Sequence, residues 1–370
     1  MRLPFCDHHI CAFLEAYAKT HKPLDLAFND YLRAHKSIGA NDRRIIGNTV
    51  FEMTRWKTLI EYLCQTDDTL DKLSTFRKMD LQQVQEDPSI PEPIRFGVNN
   101  YLYRRFKEIF GPEQTRKLCH TLNTQAPTTV RVNLLKTTRE ALFASWENQF
   151  EMTLCEKAPA GIRFKKRTPL FALPEFKLGL FEVQDEGSQC MAALVKAKPG
   201  DHVLDYCSGS GGKTLAFAPA MEGKGQIYLN DNRPWVLLEA KKRLRRAGVQ
   251  NAQFVLPRKK VDWLITDVPC SGTGTLRRNP DAKWKIDAPL VDRLVEQQRE
   301  IVAEALHHLK DGGHLVYVTC SILPEENENQ VQYFLKTHPL ELVEKPVSIL
   351  PEEGGMDGFF AASFKKQTLL

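Results

Sequence analysis

No apolar run in this chain approaches the roughly 20 residues a helix needs to cross a bilayer. The 370 residues contain no CxxC pair, no internal repeat and no low-complexity tract. The opening residues, MRLPFCDHHICAFLEAY, lack the apolar stretch and small-residue cleavage site of a secretory signal. A cytoplasmic, monomeric protein without membrane attachment is expected. The nine cysteines are scattered singly, and their odd number argues against a disulfide framework. The ordinary role for each is a small buried hydrophobe. Cys6, His8, His9 and Cys11 cluster, but their spacing matches no common zinc pattern, and no metal is expected.

Charged residues make up 26% and hydrophobic ones 42%, a globular balance rather than a disordered one. The length allows two or three domains. The net charge of +5 is modest but unevenly spread. Basic clusters stand at Arg43–Arg44, Arg104–Arg105–Lys107, Arg163–Lys165–Lys166–Arg167, Lys241–Lys242–Arg243–Arg245–Arg246, Arg258–Lys259–Lys260 and Arg277–Arg278. Several on one face would suit a polyanion. Any single one reads equally well as a solvated helix face, and Lys241 to Arg246 precede Gly248 at a helix end, where cations oppose the dipole.

Helical spacing of apolar residues runs from 8 to about 66, with Asn41 or Asp42 as a cap. QEDPSIPEPIRFG (85–97) holds three prolines and reads as a linker. Helical patterns follow around 94–109 and 112–122, then a strand in TTVRVNLLK (128–136), so 110–183 reads as a small α+β unit. From 184 the pattern becomes strand–helix alternation. Strands are expected at 202–206, 226–230, 252–256, 262–268 and 314–319, with helices at 213–221, 234–247, 290–310 and 325–336. This is the pattern of a doubly wound, largely parallel α/β sheet, which binds ligands beyond the carboxyl ends of its strands.

One such end is LDYCSGSGGKT (204–214), where Gly209, Gly211 and Gly212 let the backbone approach a ligand. A dinucleotide fingerprint fails because Thr214 stands where the third Gly belongs, and a Walker A loop fails because Cys207 holds its first Gly position. A nucleotide hydrolase would need a Gly there. The third reading is a methyl-donor site, supported by Asp231 at the next strand end, where a carboxylate can accept from ribose hydroxyls. Two further strand ends each carry a cysteine, in DVPCSGTGTLRRNPDAKW (267–284) and VTCSILPEENENQV (318–331).

These motifs resemble the RNA cytosine-C5 methyltransferase family, the Sun/Fmu group. The resemblance is dense over 184–370: QDEGSQ, CSGSGGKT, Asn230–Asp231, the PCS and TCS motifs about 50 residues apart, and the closing GGMDGFFAASFKK. It implies a Rossmann-like class I methyltransferase sheet at 184–370. VRVNLLKT resembles the small RNA-binding-type α+β subdomain of the family, at 94–183. ANDRRIIGNTVFEMTRWKTLIEYL resembles part of a NusB-like helical domain, here a truncated region at 1–84.

The resemblance further implies S-adenosylmethionine as cofactor, held by Cys207, Ser208, Gly209, Ser210, Gly211, Gly212, Lys213, Asp231 and Asp267. It assigns Cys320 as the nucleophile that adds to cytosine C6 and Cys270 to release of the product. Lys213 would favour the reactive thiolate, and Asp267 would bind the cytosine edge as a general acid. Arg277, Arg278 and Lys283 are candidates for neighbouring phosphates. The partner is RNA, ribosomal RNA being favoured and transfer RNA admitted, with the target base unpaired or flipped.

Two departures stand out. Ser210 replaces a Pro before the glycine pair. The family's acidic residue after the third strand is missing, since no Asp occurs between Asp231 and Asp262. In a 3-2-1-4 sheet the link from the third strand to the fourth must cross about 14 Å. Five or six residues extend to roughly 20 Å, and parallel crossovers usually need about a dozen residues. A short third strand, no following helix and an open adenine side of the cofactor pocket are therefore expected. An RNA-binding homologue with weakened or lost cofactor binding is the alternative that this departure raises.

Overall fold

The computed structural model describes residues 3–368. Contacts divide the chain into two compact units. One comprises the chain up to Gln125 together with Leu276–Ala288. The other comprises Ala126–Thr275 together with the chain from Pro289 onward.

In the first unit, helices Phe5–Tyr17, Leu24–Ala34, Ala40–Arg55 and Lys57–Cys64 follow the apolar spacing. Asp68 and Asp80 cap Thr69–Lys78 and Leu81–Glu86, each carboxylate accepting from two first-turn N–H groups. Ile10, Phe13, Leu24, Ile46, Val50, Leu59 and Leu73 form the shared core, where each large aliphatic or aromatic side chain contributes about 1.5–3 kcal/mol relative to exposure. The stretch 85–97, expected as a linker, instead folds into this unit. It forms the turn of helix Glu92–Arg95 and buries Ile90, because its apolar residues outweigh its prolines. Helix Asn100–Asn123, broken at Gly111 (φ 76°) before Pro112, belongs here too, so the contacts do not follow a boundary at 94.

The excursion Leu276–Ala288 packs into these helices through its backbone. Asn99 donates to the carbonyls of Lys283 (2.6 Å) and Ile286 (2.7 Å), and Arg55 to that of Arg277 (3.1 Å). The indole of Trp284 donates to Thr54 O (2.6 Å), and Tyr17 to Asp281 (3.0 Å).

The second unit holds two sheets. The small one is antiparallel, order β2-β3-β1-β4, from β1 (Thr128–Val132), β2 (Met152–Leu154), β3 (Gly161–Phe164) and β4 (Phe181–Val183). Helix Arg139–Trp146 supplies Leu142 and Trp146 to its core with Val130, Ile162, Phe164 and Phe181.

The large sheet runs β10-β12-β9-β8-β5-β6-β7, with β11 paired to β12. Its strands are β5 (His202–Asp205), β6 (Gln226–Leu229), β7 (Ala252–Gln253), β8 (Val261–Asp267), β9 (Leu309–Thr319), β10 (Leu340–Leu342), β11 (Val347–Ile349) and β12 (Phe359–Lys366). Strands β5 to β9 are parallel and β12 is antiparallel to β9. Successive residues serve opposite faces: Val203, Ile265, Val316 and Val318 enter one core, Leu204, Leu264, Leu315 and Tyr317 the other. Both faces are covered, which is why these strands read as continuous apolar runs.

The third strand is the exception. Only Ala252 and Gln253 pair, no helix follows, and Val255 and Leu256, expected to be in the strand, are 56% and 42% exposed. The short link to β8 leaves the chain no length to pair further before it must cross under β6 and β5.

Candidate active site

The carboxyl ends of β5, β6, β8 and β9 assemble the site. After β5 the chain turns through the glycines, and Ser208 N donates to Asn230 O (2.9 Å), tying the turn to the end of β6. Gly211 has φ 78° and leads into helix Gly212–Phe217; a Cβ there would lie 2.9 Å from Leu244. A Cβ on Gly209 or Gly212 would meet nothing within 4 Å, so open space lies over the turn. Gly209 N donates to Asp231 (2.9 Å). Asp231 also accepts from the backbone N (3.0 Å) and guanidinium (2.9 Å) of Arg233, and these contacts hold its carboxyl below the usual range although burial opposes them.

Two buried polar atoms at this turn have no protein partner, Oδ1 of Asp205 and Oγ of Ser208. Asp205 takes one bond from the Thr214 hydroxyl (2.7 Å), and burial pushes its carboxyl up to about 7. Buried polar atoms without partners are uncommon, and together with the open space they fit a polar ligand on the turn. Asp205 did not stand out in the sequence, although a carboxylate closing a buried strand before a glycine turn is a usable signal.

The small sheet braces the turn from behind. Arg131 donates to Gly212 O (3.2 Å), and its guanidinium is lowered to about 9 by burial. Arg243 donates to Ser210 O (3.0 Å) and Ser210 Oγ (2.5 Å), while Glu182 accepts from Arg243 and Arg246. Ser210, the departure from the family's Pro, is thus fixed by a hydrogen bond rather than by a ring. Sequence reading missed Arg131, Glu182 and Arg243, because nothing local marks them. Burial, with the carboxylates of Asp205, Asp267 and Asp231, pushes the Cys207 thiol up.

Asp267 ends β8 and Cys270 lies three residues on; Cys320 follows the last residue of β9. The two sulfurs stand 3.3 Å apart, and Cys320 N also donates to Cys270 Sγ (3.3 Å). The two thiols are not equivalent. The hydrogen bond to Cys320 and burial push Cys270 up, whereas the bond from Cys270 lowers Cys320 against the opposing effect of burial. The contact therefore favours Cys270 as its donor and Cys320 as the sulfur that ionises more readily. Lys213 lies 2.5 Å from Asp267; its charge favours the Cys320 thiolate, and the larger effect of the Asp267 carboxylate opposes it. Gly274 ties the strand ends together: its N donates to Cys320 O (2.9 Å) and its carbonyl accepts from Gly358 (2.8 Å), a crossing that a Cβ on Gly274, 2.3 Å from Gly358 O, would forbid.

The structure thus brings Lys213, Asp267, Cys270 and Cys320 together, beside the turn and Asp231. It does not bring Arg277 and Lys283 to a surface. Arg277 is 2% exposed, and Lys283, fully buried, donates to Asn123 Oδ1 (2.5 Å) in the helical unit. The expectation that these two hold phosphates is corrected: the backbone packing of their segment carries the side chains inside. Burial, with Arg55 nearby, lowers the Lys283 ammonium well below its usual range. Of the three, only Arg278 is exposed.

A largely parallel sheet with a glycine turn after its first strand and a carboxylate after its second is the fold of a class I methyltransferase. A family model for 16S rRNA methyltransferase RsmB/F matches residues 192–365, and an RsmF/B-like ferredoxin-like domain matches 98–170. The chain is 32% identical to the probable ribosomal RNA small subunit methyltransferase B of Synechocystis over 310 residues, 76% of this chain and 69% of that protein. It is 33% identical to the ribosomal RNA small subunit methyltransferase B of an Enterobacter species, covering 74% and 67%. A solved methyltransferase homolog from Pyrococcus horikoshii is 26% identical and superimposes with a TM-score of 0.67 over 76% of this chain and 99% of that one. The chain belongs to the RsmB/F family of 16S rRNA methyltransferases.

Proposed function

We propose that the protein methylates C5 of a cytosine in RNA, ribosomal RNA of the small subunit by analogy with its relatives, with S-adenosylmethionine as donor. The observation that carries this reading is the pair of thiols 3.3 Å apart at adjacent strand ends, where the contact between them pushes Cys270 up and lowers Cys320. When bound, S-adenosylmethionine would supply a methyl group made electrophilic by its sulfonium. The residues that would hold it are the turn from Cys207 to Lys213, with Asp205, Asp231 and Asp267.

Cytosine C5 is a poor nucleophile until something adds at C6. The Cys320 thiolate uses its electron pair to form an S–C6 bond, and the C5=C6 pair becomes available at C5 to take the methyl. Asp267, ion-paired with Lys213, would bond the cytosine amino and N3 edge as the general acid, giving a proton to N3 as charge develops and taking it back when the ring is restored. To finish, solvent water takes the proton on C5, the C–H pair restores C5=C6, and the S–C6 pair returns to Cys320. Cys270, 3.3 Å away, can donate its S–H to the departing thiolate, which suits it to release.

Transfer from radiolabelled S-adenosylmethionine to cellular RNA, followed by nucleoside analysis, tests this. The parent should yield 5-methylcytidine and Cys320→Ala none; label on another nucleoside would refute the C5 reading. The alternative, an RNA-binding homologue without transfer, draws on the two-residue β7 and on Arg233 occupying Asp231. A cofactor titration separates the two: saturable binding supports the enzyme, and its absence the alternative.

A further inference from the structure

Behind the two thiols lies a carboxylate that the reaction above does not use. Glu326, in the turn Pro324–Glu326 after the Cys320 strand, has no exposed surface. Its Oε1 accepts from Ser271 N (2.8 Å) and Gln298 Nε2 (3.0 Å), and its Oε2 from Ser271 Oγ (2.5 Å). Among the described residues no cation pairs with it; its charge is held by neutral donors alone. Burying a carboxylate this way is costly, and such groups are kept where their hydrogen bonds are complete.

The bonds enclose one residue. Ser271 N belongs to the peptide that follows Cys270, and Gln298 also donates to Pro269 O (3.1 Å), the carbonyl that precedes it. Gln298 is itself fixed, its Oε1 accepting from Tyr317 (3.1 Å) and Gln330 (2.9 Å), both buried. Cys270 is therefore gripped on both sides by groups that converge on Glu326. We propose that Glu326 is a positioning residue, whose buried carboxylate fixes the Cys270 loop so that its thiol meets the sulfur of Cys320. The inference rests on the C5 reading for its purpose, release of the product. A second effect points the same way: after the bond to Cys320 and burial, the charge of Glu326 adds to what keeps Cys270 protonated.

Glu326→Gln keeps the shape, loses the charge, and turns an N–H toward donors it cannot accept from. In the full chain it should lower turnover about tenfold or more, since bonds to a buried charge are worth about 1.5–3 kcal/mol. The KM for RNA should stay within about twofold, and a denaturant-stable protein–RNA adduct should accumulate, as expected of Cys270→Ala. Ser271→Ala, which loses one bond only, should do the same more weakly, by about two- to threefold; it decides the matter if the first variant fails to fold. Unchanged turnover and adduct would overturn the inference, as would loss of adduct in step with turnover, which marks general damage to the pocket.

A second readout does not depend on catalysis. The ionisable groups around Cys270 are Cys320, Glu326 and Tyr317. In a Cys320→Ala background, the pH midpoint for alkylation of Cys270 by iodoacetamide should fall when Glu326→Gln is added. An unmoved midpoint would remove the positioning role even if transfer to C5 is confirmed. If the parent yields no 5-methylcytidine, the C5 reading fails while the midpoint still decides the placement of Cys270.

Discussion

The ends of β8 and β9 and the ends of β6 and β7 form two halves of one site, built differently. In the thiol half, Ser271, Thr273, Ser321 and Glu326 are buried and joined by hydrogen bonds, so Cys270 and Cys320 have little freedom. In the cofactor half, β7 has two paired residues, the chain beyond it exposes Val255 and Leu256, and the one carboxylate at the end of β6 is occupied by Arg233. In the proposed reading, a hydrogen-bonded thiol half suits chemistry that depends on where the sulfurs stand. On the same reading, the exposed chain beyond β7 puts the cost of the shortened third strand on cofactor affinity rather than on the chemical step.

That contrast can be broken from either side. The largest effect belongs to the thiols: Cys320→Ala should lower methyl transfer by at least about 10³-fold without weakening cofactor binding, as measured by labelled transfer and calorimetry. Loss of cofactor binding in this variant would mean the halves are not separate. Next is Asp231→Ala, expected to weaken S-adenosylmethionine binding about 10- to 100-fold, with the turnover of saturated enzyme little changed.

Asp205→Asn gives an intermediate effect with a pH signature. Because burial raises this carboxyl to about 7, the folded chain holds a proton there that the unfolded chain has already lost above the ordinary carboxylate range. The native state is thus penalised increasingly as pH rises through that range to about 7, and fully above it. The amide carries no such penalty, so the variant should melt a few degrees higher at pH 8 and no higher at pH 4. Equal gains at both values would place the cause elsewhere. The smallest effect is Arg233→Ala, which frees Asp231 and should tighten cofactor binding about two- to fivefold, the scale of one exposed ion pair. Weaker binding instead would show that Arg233 itself holds the cofactor.

Much of this was legible in the sequence, for reasons that particular residues make clear. Both-face burial writes β5, β8 and β9 as apolar runs, so strand ends, and with them Asp267, Cys270 and Cys320, could be placed by pattern. The stub of β7 followed from counting how far the link to β8 can reach, although Val255 and Leu256 still look like strand residues, because β-branched and apolar composition says nothing of pairing. Lys283 and Arg277 misled, since charge predicts a surface while their backbone neighbours carry them inside. Glu326, Arg131, Glu182 and Arg243 stayed invisible: their roles arise from contacts between segments far apart in the chain, and each looks locally like any surface charge.

The most direct test of the division between the thiols is to follow the covalent adduct itself. RNA incubated with S-adenosylmethionine and the Cys270→Ala variant, then digested and mapped by mass spectrometry, should carry a pyrimidine attached to Cys320. The doubly substituted Cys270→Ala/Cys320→Ala protein should carry none. An adduct on any other residue, or one that persists in the double variant, would contradict the assignment of Cys320 as the nucleophile.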